Sequence, residues 1–245
     1  MKYTYLAVFI LVGFIFTGCK KSTEEFSTPP ISDYAPLTQG KYITYQIDSL
    51  IYINFGTLEV THTYQVKYLT DSLITDNLGR PAYRIFRYIR SDASSPWESD
   101  ATFLAVNTGT SLEFTENNMR FIKLKQPIRN DYAWLGNSYI DTYSFGSEVR
   151  YLADWSYTYQ NVAQADVVGS FNLDNTITIN QRNETIGNPD DPNSYSEKNF
   201  GLEKYALGIG MVYKKFLHYE YQPPTTTQGG YYVGYGVTLT MIDHN

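Results

Sequence analysis

Apolar and polar residues alternate with a period of two along most of this chain, and beyond the first segment no stretch keeps a helical period. In 58–69 the even positions are Leu58, Val60, His62, Tyr64, Val66 and Tyr68, while the odd ones are Glu59, Thr61, Thr63, Gln65, Lys67 and Leu69. Successive side chains of a strand point to opposite faces, so this pattern predicts a strand with one buried and one wet face. Asp76-Asn77-Leu78-Gly79 is turn chemistry, and 82–90 reads as the next strand, which makes 58–90 a long hairpin. Further strands are predicted at 41–47, 102–106, 119–125, 139–145, 151–159, 176–181, 211–221 and 232–242. The polar stretch 188–199, with Pro189-Asp190-Asp191-Pro192-Asn193, is predicted to be a long surface loop. Gly208-Ile209-Gly210 and Gly234-Tyr235-Gly236 predict strands that bulge or bend sharply, as curved sheets require. The expected fold is all-β: one antiparallel curved sheet or barrel-like domain, with a β-sandwich as the alternative.

Such a fold explains part of an unusual aromatic content of 24 Tyr, 13 Phe and 3 Trp, because aromatic residues suit strands and pack well. They also supply flat apolar area with a polar edge, which suits glycan and protein surfaces. The densest clusters are Tyr151, Trp155, Tyr157 and Tyr159, and Tyr231, Tyr232 and Tyr235. Arg84 and Arg90 share a strand face, interleaved with Phe86 and Tyr88, so they could meet an anionic ligand or sugar or pair across the hairpin with Asp and Glu. The candidate ligand surface is the eight residues Tyr151, Trp155, Tyr157, Tyr231, Tyr232, Tyr235, Arg84 and Arg90.

Other chemistry is sparse. Lys and Arg number 19 against 25 Asp and Glu, a net charge of -6, which excludes a nucleic-acid partner held by phosphate contacts. A single cysteine excludes a disulfide framework, and with three histidines it leaves no ordinary zinc set. Gly208-Ile209-Gly210 lacks the third glycine of a dinucleotide loop, where Tyr213 stands, and there is no Gly-x-Ser-x-Gly elbow. His62 falls on the apolar face of its strand and is expected in the core. His218 falls opposite the apolar face of 211–221 (Met211, Tyr213, Leu217, Tyr219, Tyr221) and is expected in solvent. His244 is penultimate, and Asp190-Asp191 lack calcium-loop spacing. Spacing alone picks out no pair of carboxylates. No enzyme activity, cofactor or metal is expected.

The first segment carries a different signal. Met1-Lys2 precedes an apolar run, 5–16, of about a dozen residues, short of the ~20 that a membrane-spanning helix needs. A basic start, a short apolar run and small residues before a polar stretch predict a secretory signal peptide. Phe16-Thr17-Gly18-Cys19 resembles the lipobox of bacterial lipoproteins, with Phe16 where that family prefers Leu. The resemblance implies that Cys19 is lipidated and becomes the first residue after cleavage. Residues 20–32 are rich in Ser, Thr, Pro and charge and read as a mobile spacer. The expected organisation is therefore signal peptide 1–18, lipidated Cys19 and flexible tether 19–33, and β-domain 34–245. Lys20-Lys21 and Glu24-Glu25 resemble the charged export signals of surface lipoproteins. Tyr34-Ala35-Pro36-Leu37, with Gly40 and Tyr42, resembles the opening of uncharacterised Bacteroidota-type envelope lipoproteins. That resemblance implies an outer-membrane location, on the periplasmic or surface face, with membrane lipid as one partner and a glycan or envelope protein as another. Three roles follow. A non-catalytic binding or structural role is expected first. A carrier of an apolar ligand inside a barrel would need an internal cavity, and a surface glycan hydrolase would need two close carboxylates in a cleft.

Overall fold

The computed structural model describes residues 28–245. Among them, a short helix α1 (Ile31–Tyr34) precedes twelve strands. In chain order these are β1 (Tyr42–Ile53), β2 (Leu58–Thr75), β3 (Pro81–Arg90), β4 (Glu98–Asn107), β5 (Ser111–Glu116) and β6 (Met119–Lys125). Then come β7 (Ala133–Leu135), β8 (Ser156–Val168), β9 (Phe171–Gly187), β10 (Ser196–Ala206), β11 (Gly210–Gln222) and β12 (Tyr231–His244). All twelve form one antiparallel sheet in the order β6-β5-β4-β3-β2-β1-β12-β11-β10-β9-β8-β7. Each strand pairs with its chain neighbour except at two places. The first and last strands join, with Ile43 opposite His244 and Ile51 opposite Tyr235. The remaining ends, β6 and β7, face each other across a seam. There the Ile122 amide donates to the Gly136 carbonyl at 2.8 Å, and Trp134 Nε1 donates to the Ile122 carbonyl at 2.8 Å. The sheet is thus a nearly closed barrel, and closure of this kind removes the exposed edges that an open sheet would present.

Turn chemistry sets the register locally. Between β5 and β6, Asn117 and Asn118 both adopt positive φ, 52° and 60°, the two-residue turn whose twist matches that of a hairpin. Between β2 and β3, Asp76 Oδ1 accepts from the Leu78 and Arg80 amides at 2.9 and 2.8 Å, closing the Asp76–Arg80 turn.

Three strand expectations change. Residues 139–145 are not a strand but part of the long β7–β8 connection. The Asp141 carboxylate accepts from the Tyr143 and Ser144 amides at 3.2 and 3.0 Å, so a local side-chain bond displaces ladder pairing. In 151–159 the strand begins only at Ser156, after a single 3₁₀ turn at Arg150–Leu152. The predicted loop 188–199 ends early, because β10 starts at Ser196; that strand turns polar residues such as Glu203 inward, which hides its alternation.

The folded domain also starts before Tyr34, contrary to the predicted boundary. Ile31 is 1% exposed and Tyr34 0%. Tyr34 Oη donates to Asn175 Oδ1 at 2.6 Å, and the Gly208 amide donates to the Asp33 carbonyl at 2.7 Å. Thr28 Oγ1 donates to Gln126 Oε1 at 2.7 Å, and Gln126 Nε2 donates to the Pro29 carbonyl at 2.8 Å. Residues 28–35 therefore plug one end of the barrel, here called the lower end. Residues 20–27, like Cys19 and 1–18, lie outside the described residues.

Candidate functional site

The barrel interior is not filled by apolar side chains alone. Four charged residues from four strands meet inside it: Glu116 (β5), Lys123 (β6), Glu203 (β10) and Lys214 (β11). Lys123 Nζ lies 2.7 Å from Glu203 Oε1 and 3.2 Å from Glu116 Oε1, and Lys214 Nζ lies 3.2 Å from the same Glu116 oxygen. Tyr205 Oη donates to Glu203 Oε2 at 2.9 Å. Glu203 is 0% exposed and Lys123 6%. Buried charges of this kind persist only when paired, and two carboxylates against two ammoniums give a balanced quartet.

These pairings hold Glu116 and Lys123 in their charged forms. Burial would push the Glu116 carboxyl up, but the Lys214 and Lys123 ammoniums outweigh it and hold the group down at about 2. Burial would lower the Lys123 ammonium, but Glu203 and Glu116 outweigh that and raise it, so it stays charged.

This belt separates two chambers. The lower one, of about 110 Å³, is walled by apolar groups including Leu37, Ile43, Ile85, Leu112 and Met211, and the α1 plug leads directly into it through Ala35 and Pro36. The upper one, of about 270 Å³, is walled by Tyr64, Tyr151, Trp155, Phe216 and Tyr235, with Arg87 and Gln181 among them. Both chambers touch Tyr68, Glu116, Lys123 and Lys214.

The β7–β8 connection, 136–155, closes over the upper chamber. Tyr151 stacks on His218 with ring centroids 3.8 Å apart and planes 9° from parallel, and its hydroxyl lies 3.4 Å from that of Tyr235. Trp155 stacks near Phe216 at 6.0 Å and 25°, and its Nε1 donates to the Tyr151 carbonyl at 2.6 Å. Asn137 holds the loop to the barrel: its Nδ2 donates to the Leu152 carbonyl at 2.9 Å, and its Oδ1 accepts from Tyr157 Oη at 2.8 Å.

The structure divides the eight candidate residues among three places. Tyr151, Trp155 and Tyr235 come together on the upper chamber, and buried Tyr157 lines it too. Tyr232 faces the outer wall, where it stacks on Tyr52 at 5.1 Å and packs against Tyr219 and Tyr221. Tyr231 pairs with Gln222, next to Tyr232 but on the opposite face. Arg84 and Arg90 are also on the outer wall. Arg84 Nη2 lies 2.6 Å from Asp71 Oδ2 across the hairpin, while Arg90 donates to Gln65 Oε1 at 2.8 Å and lies over the Trp97 ring at 4.2 Å.

Two histidine expectations are reversed. His218 is buried, 8% exposed, because β11 turns Lys214, Phe216 and His218 inward; its tyrosine-rich odd face lies outside and packs sideways on Tyr232. His218 Nδ1 lies 2.8 Å from Asn199 Oδ1. His62 follows the inward parity of Tyr64 and Val66 but lies beyond them towards the β1–β2 turn, and it is exposed. His244 is held in β12 with its ring 5.6 Å from that of Phe171.

Sequence reasoning missed the quartet and Gln181, and left Arg87 out of the candidate surface. The available signal was parity: Glu116 follows Leu112 and Phe114, Lys123 follows Phe121, and Lys214 precedes Phe216, so each charge shares a face with apolar neighbours. No protein-family model matches the chain, and no curated protein is significantly similar to it.

The buried charges set an acid response. Desolvation lowers the His218 pKa from 6.5, against a smaller opposing effect of Glu197, so the folded state favours the neutral ring. Its contribution is intact above 6.5 and shrinks as pH falls below that value. Glu116, depressed from 4.5 to about 2, contributes fully above 4.5 and loses its contribution as pH falls through that window. Denaturant titrations from pH 7 downward should show stability falling in both windows, with about 3 kcal/mol of the second fall due to Glu116. Glu116→Gln should shrink the second fall by that share and leave the part due to other depressed carboxylates such as Asp166 and Glu184.

Proposed function

We propose that this chain is a non-catalytic, lipid-anchored envelope protein that carries a small amphipathic ligand inside its barrel. The observation that supports this reading is the interior. Two chambers meet at a buried charged belt, and one of them, at about 270 Å³, approaches the size of ordinary ligand cavities. An apolar wall with a few convergent polar groups is what an amphiphile needs: surface for its body and partners for its head. A protein whose barrel served only as a scaffold would gain stability by filling such space.

The carboxylates favour binding over glycan hydrolysis. A glycosidase needs one carboxyl protonated as general acid. Glu116 is instead held ionised by two lysines, and Glu203 is engaged by Lys123 and Tyr205. The envelope address rests on the lipobox-like Phe16-Thr17-Gly18-Cys19 after a short apolar run. Two or more acyl chains on Cys19 would anchor the protein stably, where one would hold it only marginally.

Two measurements test the two halves. Native mass spectrometry of protein extracted gently from its membrane should reveal a non-covalent adduct that is lost on denaturation; protein of bare mass would count against the carrier role. Cys19→Ser should move the protein from the membrane to the soluble fraction. An unmodified Cys19 peptide as the main membrane-bound species would overturn the anchor.

A further inference from the structure

On the reading that the barrel holds a ligand, we infer that the upper chamber selects an anionic ligand with a flat apolar body, and that Gln181 Nε2 is the donor that greets its anionic oxygen. Gln181 lines this chamber, is 4% exposed, and its Nε2 has no hydrogen-bond partner among the described residues. A buried amide donor left without a partner is costly, and in a native protein it points to a group that completes it.

The backbone aims this side chain. On β9, Arg182 pairs with Gly201 and Asn180 with Leu202, so Gln181 is the extra residue of a bulge. Bulges re-aim side chains and gather next to binding sites. The facing residue is Gly201, and its lack of a side chain makes the site. A methyl group there would come 2.6 Å from the Trp155 ring and 2.7 Å from Gln181 Oε1, so glycine lets the indole and the amide lie together against β10.

Charge gives the sign of the ligand. Arg87, Lys123 and Lys214 touch the upper chamber, against the single carboxylate of Glu116. Glu203 balances Lys123 from the lower chamber, and Asp100, which pairs with Arg87, does not line the upper one. Counted with these partners the charges balance, yet along the upper chamber's lining cations outnumber carboxylates three to one, so an entering ligand meets mainly cations and an amide donor. Its walls supply the flat surface, with Trp155 and Phe216 25° from parallel and Tyr151 and Tyr235 beside them. At about 270 Å³ it exceeds the ~150 Å³ cavity that takes up a single benzene ring, which leaves room for fused or linked rings.

Two fluorescent probes of nearly the same shape test this on the full chain: anionic 1-anilinonaphthalene-8-sulfonate and neutral N-phenyl-1-naphthylamine. The sulfonate should bind at least about tenfold more tightly than the neutral amine and quench tryptophan emission. Gln181→Leu should cost the sulfonate about tenfold, the worth of one hydrogen bond to a charged group, and leave the neutral amine unchanged. Gly201→Ala, which pushes Trp155 and Gln181 into the chamber, should weaken both probes. Each variant is compared at a temperature where its melt shows it folded, so that loose protein does not mimic binding. If both probes bind equally and Gln181→Leu changes neither, the carrier reading survives and the anion preference is overturned. If neither probe binds the folded protein, the chamber is a water-filled space with Gln181 bonded to solvent, and the carrier reading falls with it.

Discussion

Lys123→Met should destabilise the barrel by about 3–5 kcal/mol, the loss typical of removing one partner from a buried ion pair. Lys123 Nζ is shared between Glu203 at 2.7 Å and Glu116 at 3.2 Å, and removing it strands both carboxylates unequally. Glu116 keeps Lys214. Glu203, 0% exposed, keeps only the Tyr205 hydroxyl among the described residues and is left buried without a counter-charge. The cost thus belongs to the orphaned charge more than to the lost attraction. A second substitution separates the two: adding Glu203→Leu removes the stranded carboxylate, and most of the stability should return. Urea unfolding at neutral pH measures both variants. A double variant no more stable than Lys123→Met would show that the penalty comes from lost packing of the lysine stem instead.

The same residues show why the fold was legible in the sequence while its interior was not. Alternation marks a strand whichever way it faces, so β6 was recovered at Met119–Lys125 with its predicted limits and β3, β11 and β12 within two residues of theirs, while β2 runs on to Thr75, past the predicted end at Leu69. The Gly-x-Gly segments and long strands pointed to a curved sheet, and the twelve-stranded barrel is that. Assigning faces needs a further premise, that charge means water. That premise fails in β11, where Lys214 and His218 point inward and Tyr219 and Tyr221 outward, and in β10, where Glu203 does. A balanced quartet is invisible to such a rule, because each charge is made tolerable by a partner on a different strand: Glu116 and Lys214 lie 98 residues apart in sequence. The aromatic cluster Tyr151, Trp155 and Tyr157 was found because density survives without knowing direction. Gln181 was not, because a bulge depends on the pairing of two strands.

Ile31 carries the second large effect. A chain beginning at Ser32 should be less stable than one beginning at Thr28 by about 2–5 kcal/mol, the range for emptying a buried aliphatic site. Composition alone predicts a neutral truncation, since residues 20–32 read as a spacer. Packing reverses the expectation. Ile31 is 1% exposed within the cluster that includes Tyr34, Leu124 and Ile128, and the truncation also removes both ties to Gln126. Ile31→Ala isolates the packing share, and thermal melts of the two variants give the remainder by difference. The position of the plug makes this more than a question of stability. Ala35, Pro36 and Leu37 follow α1 directly and wall the lower chamber, so loosening Ile31 admits water beneath the charged belt. Water there would screen Lys123 and Glu203 and weaken the quartet. Ile31→Ala and Lys123→Met should therefore be coupled, with a double variant less destabilised than the sum of the two, by more than the ~0.5 kcal/mol expected of independent sites. Strict additivity would mean that the plug and the belt are separate structures that merely share a barrel.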